Sequence, residues 1–432
     1  MYKDVNIDRN NGVILIVVLW ILVILTSIAL AFGHSMSVEY RISANEIDKI
    51  KTMELAKAGI ERGIAELAQD STQVGTLTDR WRVSSDGYQN VALGEGTYTL
   101  FYPDLSQDNQ VGYGITDENS KLNLNSATKD MIMRLPGADE IIADSIIDWR
   151  SATAKASPNG AKDEYYTQLN PPYHCKNGPL DTIAELLLVK GITPQLLYGE
   201  DANRNGILDP NENDGDANFP PDNADGKLDR GWYPLVTVYS YDWNYALDGT
   251  RRVNINQSSS SQMRSLLQHG LTNTDISNIV SYRRSRGRFS HLGDLLNVTG
   301  MNNQKFGNIS DYITMSNNPK LLGLVNFNTA PKAVLEVLPG MTPDSADQVI
   351  EKRSGTSGAF QNLGNIAETV GRDAFQQFSD YATVRSSQFE IQSIGRLNDK
   401  SAYTRLIAVV DRSVIPIKIL YYRDISSLGS GI

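Results

Sequence analysis

The sequence predicts an α+β fold, in which a long N-terminal helix packs against an antiparallel sheet and a large, mostly α-helical domain is inserted between the strands. An apolar run lies near the N-terminus, two distant segments alternate with a period of two, and a helical pattern repeats between them. We expect the helix at residues 13–70, sheet segments at 71–115 and 376–432, and the inserted domain at 116–375.

The N-terminal helix is predicted from hydropathy. The run Val13–Phe32 contains no charged residue, and a helix of that length spans about 30 Å, the thickness of a bilayer's hydrocarbon core. Over residues 33–70 apolar side chains such as Ala56, Ile60 and Ile64 recur at three- and four-residue steps. We therefore expect one continuous stem, apolar first and amphipathic later. The alternative is a simple membrane anchor followed by a juxtamembrane helix.

The junction before this run resembles the processing site of type IV pilin-like proteins, where a dedicated peptidase cuts after glycine. The resemblance implies a leader at residues 1–12, cleaved between Gly12 and Val13. The family usually carries Glu at the fifth mature position. Val17 occupies that position here.

The sheet is predicted from two segments far apart in the chain. Gly96–Tyr102 alternates strong β-formers after a glycine-rich turn. Near the C-terminus, Tyr403–Val410 and Ile415–Tyr422 have the same character. We expect these segments to pair into one sheet that packs on the stem.

The inserted domain contains a repeat. Leu122–Asn125, Val253–Asn256 and Val325–Asn328 each alternate two apolar residues with two Asn, and each precedes a helix, a glycine turn and a second helix ending in basic residues. We expect the second Asn, or the residue after it, to cap the following helix. Glu185–Leu197 forms a partial fourth unit. These units resemble helix-hairpin-helix motifs of the sterile-alpha-motif-like kind.

Helix-hairpin-helix units often bind nucleic acid by directing turn amides at a phosphate. That use commonly needs a second glycine two positions after the first. Here those positions hold Asp139, Thr193, Thr272 and Thr342. The net charge of −10 also disfavours polyanions, although Arg283–Arg288 forms a basic run. Nucleic acid is therefore not the expected partner, and a membrane-anchored receptor for DNA uptake is the alternative function.

Residues Asp201–Glu212 (DANRNGILDPNE) match the twelve-residue calcium-binding loop. The matching positions are Asp201, Asn203 and Asn205 at one, three and five, Gly206 at six, the Ile207 carbonyl at seven, Asp209 at nine and Glu212 at twelve.

A second, irregular run follows at Pro221–Arg230, with Pro221 at its first position and Asp222, Asp225 and Asp229 as candidate ligands. The segment 200–230 holds nine acidic and three basic side chains, a net charge of −6. This self-repulsion favours a bound cation, and we expect Ca²⁺ as a structural cofactor.

Catalytic and disulfide signals are missing from the sequence. It contains no GxSxG, GxxxxGK[ST] or HExxH motif, so we do not expect an enzyme. The single cysteine, Cys175, excludes an intramolecular disulfide. His174 beside it has no matching pair at zinc spacing and is interpreted as a loop or packing residue.

Together these features resemble the minor pseudopilin K family of the type II secretion system, also called general secretion pathway protein K. Lys176–Ile192 and Phe389–Arg412 resemble that family most specifically. The resemblance implies a single-pass inner-membrane protein with a periplasmic body. It also implies a cap on the pseudopilus tip that initiates assembly for export of folded periplasmic proteins. The implied partners are minor pseudopilins I and J, the prepilin peptidase, other type II secretion components and the membrane.

A valine at position 17 is consistent with a place at the tip of the pseudopilus. In a pilus core the fifth-position Glu offsets the charged N-terminus of a neighbouring subunit, which would otherwise be an unpaired charge in an apolar environment. A subunit without this Glu cannot do so for a subunit ahead of it. The first subunit has none ahead, so we expect a single copy at the tip.

Overall fold

The computed structural model describes residues 10–70, 74–84, 87–105, 110–355 and 358–431. The predicted stem is one helix of 60 residues, α1 (Asn10–Gln69), which confirms the expectation of a continuous helix. Its side chains are exposed over residues 13–43, and burial begins near Asp48. Within the described residues, α1 is the helix that is long and apolar enough to cross a membrane.

The strands, in chain order, are β1 (Val91–Leu93), β2 (Gly96–Leu100), β3 (Tyr102–Pro103), β4 (Val111–Gly112), β5 (Thr116–Asp117), β6 (Leu122–Asn123), β7 (Val236–Thr237), β8 (Tyr241–Trp243), β9 (Val253–Asn254), β10 (Ile313–Thr314), β11 (Lys320–Leu322), β12 (Val325–Asn326), β13 (Ala382–Thr383), β14 (Gln388–Leu397), β15 (Tyr403–Asp411) and β16 (Lys418–Asp424).

The remaining α-helices are α2 (Lys129–Met133), α3 (Glu140–Arg150), α4 (Asp163–Tyr166), α5 (Pro194–Tyr198), α6 (Asn273–Arg286), α7 (Asn303–Ser310), α8 (Lys332–Glu336), α9 (Pro343–Ser354), α10 (Leu363–Val370) and α11 (Arg372–Phe378). Short 3₁₀ helices span Glu118–Ser120, Ile183–Leu188, Pro210–Glu212, Gln262–His269, Leu292–Asn297, Ser379–Tyr381 and Ser426–Leu428.

The main sheet joins the two predicted segments. Its order is β1-β2-β14-β15-β16, and β5 also pairs with β14. The strand β2 from the first segment runs antiparallel to β14 from the second, with Leu100 opposite Ser393 and Gly96 opposite Leu397. This pairing confirms that one antiparallel sheet is built from both ends of the body and that the helical domain lies between them in sequence.

The sheet packs on the second half of α1 at close range. A Cβ atom on Gly59 of the helix would lie 2.1 Å from the Ser393 hydroxyl oxygen. On the sheet side, a Cβ on Gly395 would lie 2.3 Å from the Thr52 carbonyl oxygen. Only glycine allows the backbones to approach this closely. The apolar core below the sheet includes Ile60 of α1.

The last predicted strand begins later than expected. We predicted Ile415–Tyr422, whereas β16 spans Lys418–Asp424. Pro416 has no N–H to donate to a neighbouring strand, and Ile415 before it is 98% exposed. Pairing with β15 therefore starts only beyond the proline. In the first segment, the predicted strand Gly96–Tyr102 is divided between β2 and β3.

The inserted domain consists of three units, each closed by a two-residue parallel pairing. Unit 1 (122–237) closes through β6 and β7, unit 2 (253–314) through β9 and β10, and unit 3 (325–383) through β12 and β13. Each unit contains two helical hairpins. The helix–glycine–helix shape predicted for Glu185–Leu197 is confirmed, but it is the second hairpin of unit 1 and not a separate unit.

The second Asn of each repeat does not cap a helix, contrary to prediction. Asn328 accepts a hydrogen bond from the Phe360 N–H (2.7 Å) and donates one to the Phe360 carbonyl (2.9 Å). Asn125 bridges Leu180 and Asn256 bridges Phe289 in the same way. The helices begin several residues beyond these Asn residues, at Lys129, Gln262 and Lys332, which places the helical amides out of their reach.

In every unit an arginine side chain also donates to backbone carbonyls in or next to the Asn repeat. Arg283 donates to the carbonyls of Ile255 (2.8 Å) and Ser258 (2.9 Å). Arg353 donates to the carbonyl of Phe327 (2.8 Å), and Arg150 donates to those of Leu124 and Ala127. Burial lowers the pKa of Arg353 to about 10. These guanidinium groups therefore hold the units together and are not available to a ligand.

Candidate metal site

The predicted calcium loop lies between α5 and β7 of unit 1. The Asp201 carboxylate accepts hydrogen bonds from the N–H groups of Asn205 and Gly206, both at 2.9 Å. The side-chain oxygen of Asn203 also accepts from the Asn205 N–H (3.0 Å), and that of Asn205 accepts from the Ile207 N–H (2.6 Å). These short side-chain-to-backbone bonds curl the loop into consecutive tight turns.

The end of the loop folds back on its beginning. Glu212 accepts hydrogen bonds from the N–H groups of Ala202 (3.0 Å) and Asp209 (3.1 Å). The Asp209 carboxylate in turn accepts from the side-chain amides of Asn203 (2.6 Å) and Asn205 (3.2 Å). The structure thus brings the side chains predicted for positions three, five and nine into direct contact, with position twelve beside them.

Gly206 supplies the turn expected at position six. Its φ is +76°, in the left-handed region, and a Cβ atom there would lie 2.7 Å from Pro103. Ile207 follows at position seven, where the calcium loop uses a backbone carbonyl.

The electrostatics of the loop favour a cation. Burial raises the pKa of Asp201. Burial, with the nearby charges of Asp201 and Asp209, raises the pKa of Glu212 to about 7. Among the described residues no three carboxylate, histidine or cysteine groups lie close enough to hold an ion alone. Amide and carbonyl oxygens would therefore complete the set, and such an all-oxygen set fits calcium.

The second run repeats these turns. Asn223 accepts from the Asp225 N–H (2.9 Å), and Asp225 accepts from the Lys227 N–H (2.8 Å). Asp222 makes the same turn, because its carboxylate accepts from the Ala224 N–H (2.7 Å), and it also accepts from the N–H groups of Asp214 and Gly215 in the preceding turn. The predicted residues Asp222 and Asp225 therefore face different partners.

Two residues outside the second run accept hydrogen bonds from its backbone N–H groups. Asn213 accepts from the Gly226 N–H (2.9 Å), as Asp201 does from Gly206 in the first loop. Glu200 accepts from the N–H groups of Asn223 (3.1 Å) and Asp229 (3.2 Å). Glu200 thus accepts from two backbone N–H groups of the second loop, as Glu212 does in the first loop.

Sequence reasoning missed Asn213 and Glu200 because the run itself has Pro221 at position one and Trp232 at position twelve. The available signal was their placement: Glu200 directly precedes the first loop and Asn213 directly follows it. The two loops are interlocked.

The phosphate-binding alternative is disfavoured by the hairpin turns. Where a second glycine would be needed, the side chain caps the next helix: Thr272 accepts from the Asp275 N–H (3.1 Å) and Asp139 from the Ile142 N–H (2.8 Å). Thr193 and Thr342 cap in the same way. At each turn one amide of the helix N-terminus therefore already has an acceptor.

The other predicted positions are unremarkable as ligands. His174 is exposed and pairs with Asp163 at 2.9 Å, and Cys175 is buried, which raises the pKa of its thiol. Gly12 and Val13 lie within α1, while residues 1–9 of the expected leader fall outside the described residues. Processing at this junction stays a prediction.

Two family models match parts of the chain. Residues 118–198, which contain both hairpins of unit 1 and end just before Asp201, match the family model described as "Type II secretion system (T2SS), protein K". Over these residues the chain is similar to that family. Residues 249–314, which contain unit 2, match the helix-hairpin-helix motif.

The chain is also similar to a solved structure. That structure is a chain of the GspK-GspI-GspJ complex from the Type 2 Secretion System of enterotoxigenic Escherichia coli. The identity is 12%, the TM-score is 0.49, and the match covers 88% of this chain and 98% of that chain. No curated protein matches the sequence at a significant level.

Proposed function

We propose that this chain is a minor pseudopilin that caps the tip of the pseudopilus and initiates its assembly for export of folded periplasmic proteins. The observation that carries the proposal is the absence of any acidic residue from α1 before Glu39, including position Val17. In an apolar helix bundle, such a stem offers no carboxylate to the charged N-terminus of a subunit ahead of it, and an uncompensated charge there costs several kcal/mol.

The position of the inserted domain supports the same arrangement. The chain leaves α1 at Gln69, and Gly75 shortly afterwards already contacts Asn326 of unit 3. Unit 3 therefore meets the chain just beyond the end of α1 that lies opposite its exposed apolar half. A domain of this size at that end would collide with a subunit stacked above it, whereas at the tip it meets no such subunit.

We propose minor pseudopilins I and J as partners, with the same pairing that names the GspK-GspI-GspJ complex. In this arrangement α1 crosses the inner membrane once, the body lies in the periplasm, the prepilin peptidase cleaves between Gly12 and Val13, and other secretion components act on the assembled pseudopilus. The role is structural and not enzymatic.

Co-expression tests the partnership. The full chain, extracted in detergent, should co-purify with minor pseudopilins I and J at a fixed stoichiometry. A matched sample with the major pseudopilin in place of I and J should give no stable complex. Recovery of the chain alone from the first sample would contradict the proposal.

We propose further that both interlocked loops bind Ca²⁺ as a structural cofactor, held in the first loop by Asp201, Asn203, Asn205, Asp209 and Glu212 with the Ile207 carbonyl. The bound ion would neutralise the acidic segment and thereby stabilise the loop. Calcium should raise the melting temperature of the full chain above its value in chelator, and Asp201→Asn should reduce that difference. Equal melting temperatures in calcium and chelator would exclude a structural site.

A further inference from the structure

Arg405 lies near the start of β15 and extends from the sheet into the loop Asp201–Glu212. It is fully buried. Its guanidinium donates to the carbonyl of Asn203 through Nη1 (2.6 Å) and to that of Arg204 through Nη2 (2.9 Å). Nη2 also donates to the side chain of Gln392 on β14 (2.8 Å). One residue of the sheet therefore binds the backbone of the loop at its third and fourth positions.

The loop supplies most of the polar contacts of this buried guanidinium. Burial lowers the pKa of Arg405 to about 10. Its Nε atom has no hydrogen-bond partner among the described residues. A buried charge is tolerated only where its donors are satisfied. Displacement of the carbonyls of Asn203 and Arg204 would leave Arg405 with Gln392 alone.

The C-terminal segment covers the same contact. The Arg405 N–H donates to the Ser426 hydroxyl, and the Arg405 carbonyl accepts from the Ile425 N–H, both at 2.9 Å. Further along, a Cβ atom on Gly431 would lie 2.7 Å from Nη1 of Arg405. The sheet, the loop and residues 425–431 thus meet at one side chain.

We propose that Arg405 is a positioning residue that couples cation binding in the loop Asp201–Glu212 to the ordering of β15 and of residues 425–431. This inference rests on the calcium site proposed above. A bound cation holds the loop in the form that presents the two carbonyls to Arg405, and Arg405 in turn holds the loop in the form that binds the cation. Coupling of this kind is reciprocal, so each side must respond to a change in the other.

The coupling follows from the charge of the loop. The segment 200–230 carries a net charge of −6, so its carboxylates repel one another when no cation is present. Movement of the loop would withdraw the carbonyls from the guanidinium. The sheet around β15 and the segment that covers it would then lose a common contact.

Calcium titration tests the first direction. Isothermal titration of the full chain in detergent micelles, after chelator treatment, would compare wild type with Arg405→Met and Arg405→Lys. We expect Arg405→Met to weaken calcium binding about tenfold, as loss of a residue that orients metal ligands does. Arg405→Lys, which retains the charge but lacks the planar fork of donors that a guanidinium offers, should give a smaller loss.

Arg412→Met is the matched control. Arg412 directly follows β15, is nearly buried, and contacts Asp70 (2.7 Å) and the Ser386 carbonyl (3.1 Å). Its substitution should lower the melting temperature. It should change calcium affinity by less than about twofold, because Asp70 and Ser386 lie outside the loop Asp201–Glu212.

Hydrogen exchange of wild type tests the second direction and requires no variant at Arg405. Calcium should slow amide exchange in residues 404–407 and 425–431, and Asp201→Asn should remove that effect. Two results would overturn the coupling alone: calcium binding that Arg405→Met leaves unchanged, or binding without slower exchange in these segments. Absence of any calcium binding by wild type would instead refute the calcium site itself, and the coupling with it.

Discussion

The Asp117 carboxylate accepts a hydrogen bond from the Ser386 hydroxyl at 2.5 Å. Asp117 lies where the chain leaves the sheet for the inserted domain, and Ser386 lies where the chain returns to the sheet. The same carboxylate accepts from the Thr329 hydroxyl (2.6 Å), the Asn326 amide (3.1 Å) and the Asn119 N–H (2.8 Å). One buried group therefore joins the sheet to unit 3.

Replacement of Asp117 should loosen this junction. Asp117→Ala removes the buried acceptor that four donors share, so we expect the free energy of unfolding to fall by about 3 kcal/mol. Denaturant unfolding of the full chain in micelles measures the loss. Asp130→Ala, at an exposed position of α2, is the control and should change stability by less than about 0.5 kcal/mol. Equal effects would refute the role of Asp117.

The same residue predicts a pH dependence. Burial raises the pKa of Asp117 above its ordinary 3.8, although four hydrogen bonds oppose the shift. Its contribution to stability is therefore full below pH 3.8 and is lost as the pH rises through the folded-state pKa. Asp117→Asn has no proton to lose, so its stability relative to wild type should increase over that interval. A difference that stays constant between acidic and neutral pH would contradict this assignment.

The Asn bridges should be essential to their units. Asn328→Ala would leave the N–H and the carbonyl of Phe360 unpaired in the core, and we expect a loss of about 2–3 kcal/mol. Asn308→Ala, on the exposed face of α7, should be nearly neutral. Thermal unfolding compares the two, and similar melting temperatures would contradict the bridging role.

The DNA-uptake alternative has a direct test. Because the hairpin amides are capped, we expect the full chain in micelles to show no steep salt-dependent affinity for duplex DNA. Substitution of Arg284, Arg286 and Arg288 by Ser should change nothing. Arg283 is left intact, since its bonds to Ile255 and Ser258 hold unit 2 together. Tight binding that falls with salt and with these substitutions would support DNA uptake.

Much of the fold could be predicted from the sequence because its signals are local. The uninterrupted stem follows from hydropathy, and the pairing of β2 with β14 follows from two segments that alternate strongly. The second hairpins of units 2 and 3 were missed. Their helices lack the alternating Asn stretch, although Asp294-Leu295-Leu296 and Gly300 parallel Glu185-Leu186-Leu187 and Gly191.

The candidate site shows the same limit. The first loop could be recognised because all its candidate ligands lie within one continuous stretch, Asp201–Glu212. Glu200 and Asn213 belong to the second loop only through the fold, which brings residues 23 positions apart in sequence together. Arg405, some two hundred residues from the loop it contacts, had no signal in the pattern of β15 beyond a charged residue in a buried strand.

The central claim is that one copy occupies the first place in the pseudopilus, and crosslinking in the assembled machine tests it most directly. A photoreactive residue in place of Ile24, on the exposed half of α1, samples the neighbours of the stem. We predict adducts with minor pseudopilins I and J and none between two copies of this chain. A ladder of crosslinked copies, as in a repeating shaft, would contradict the account.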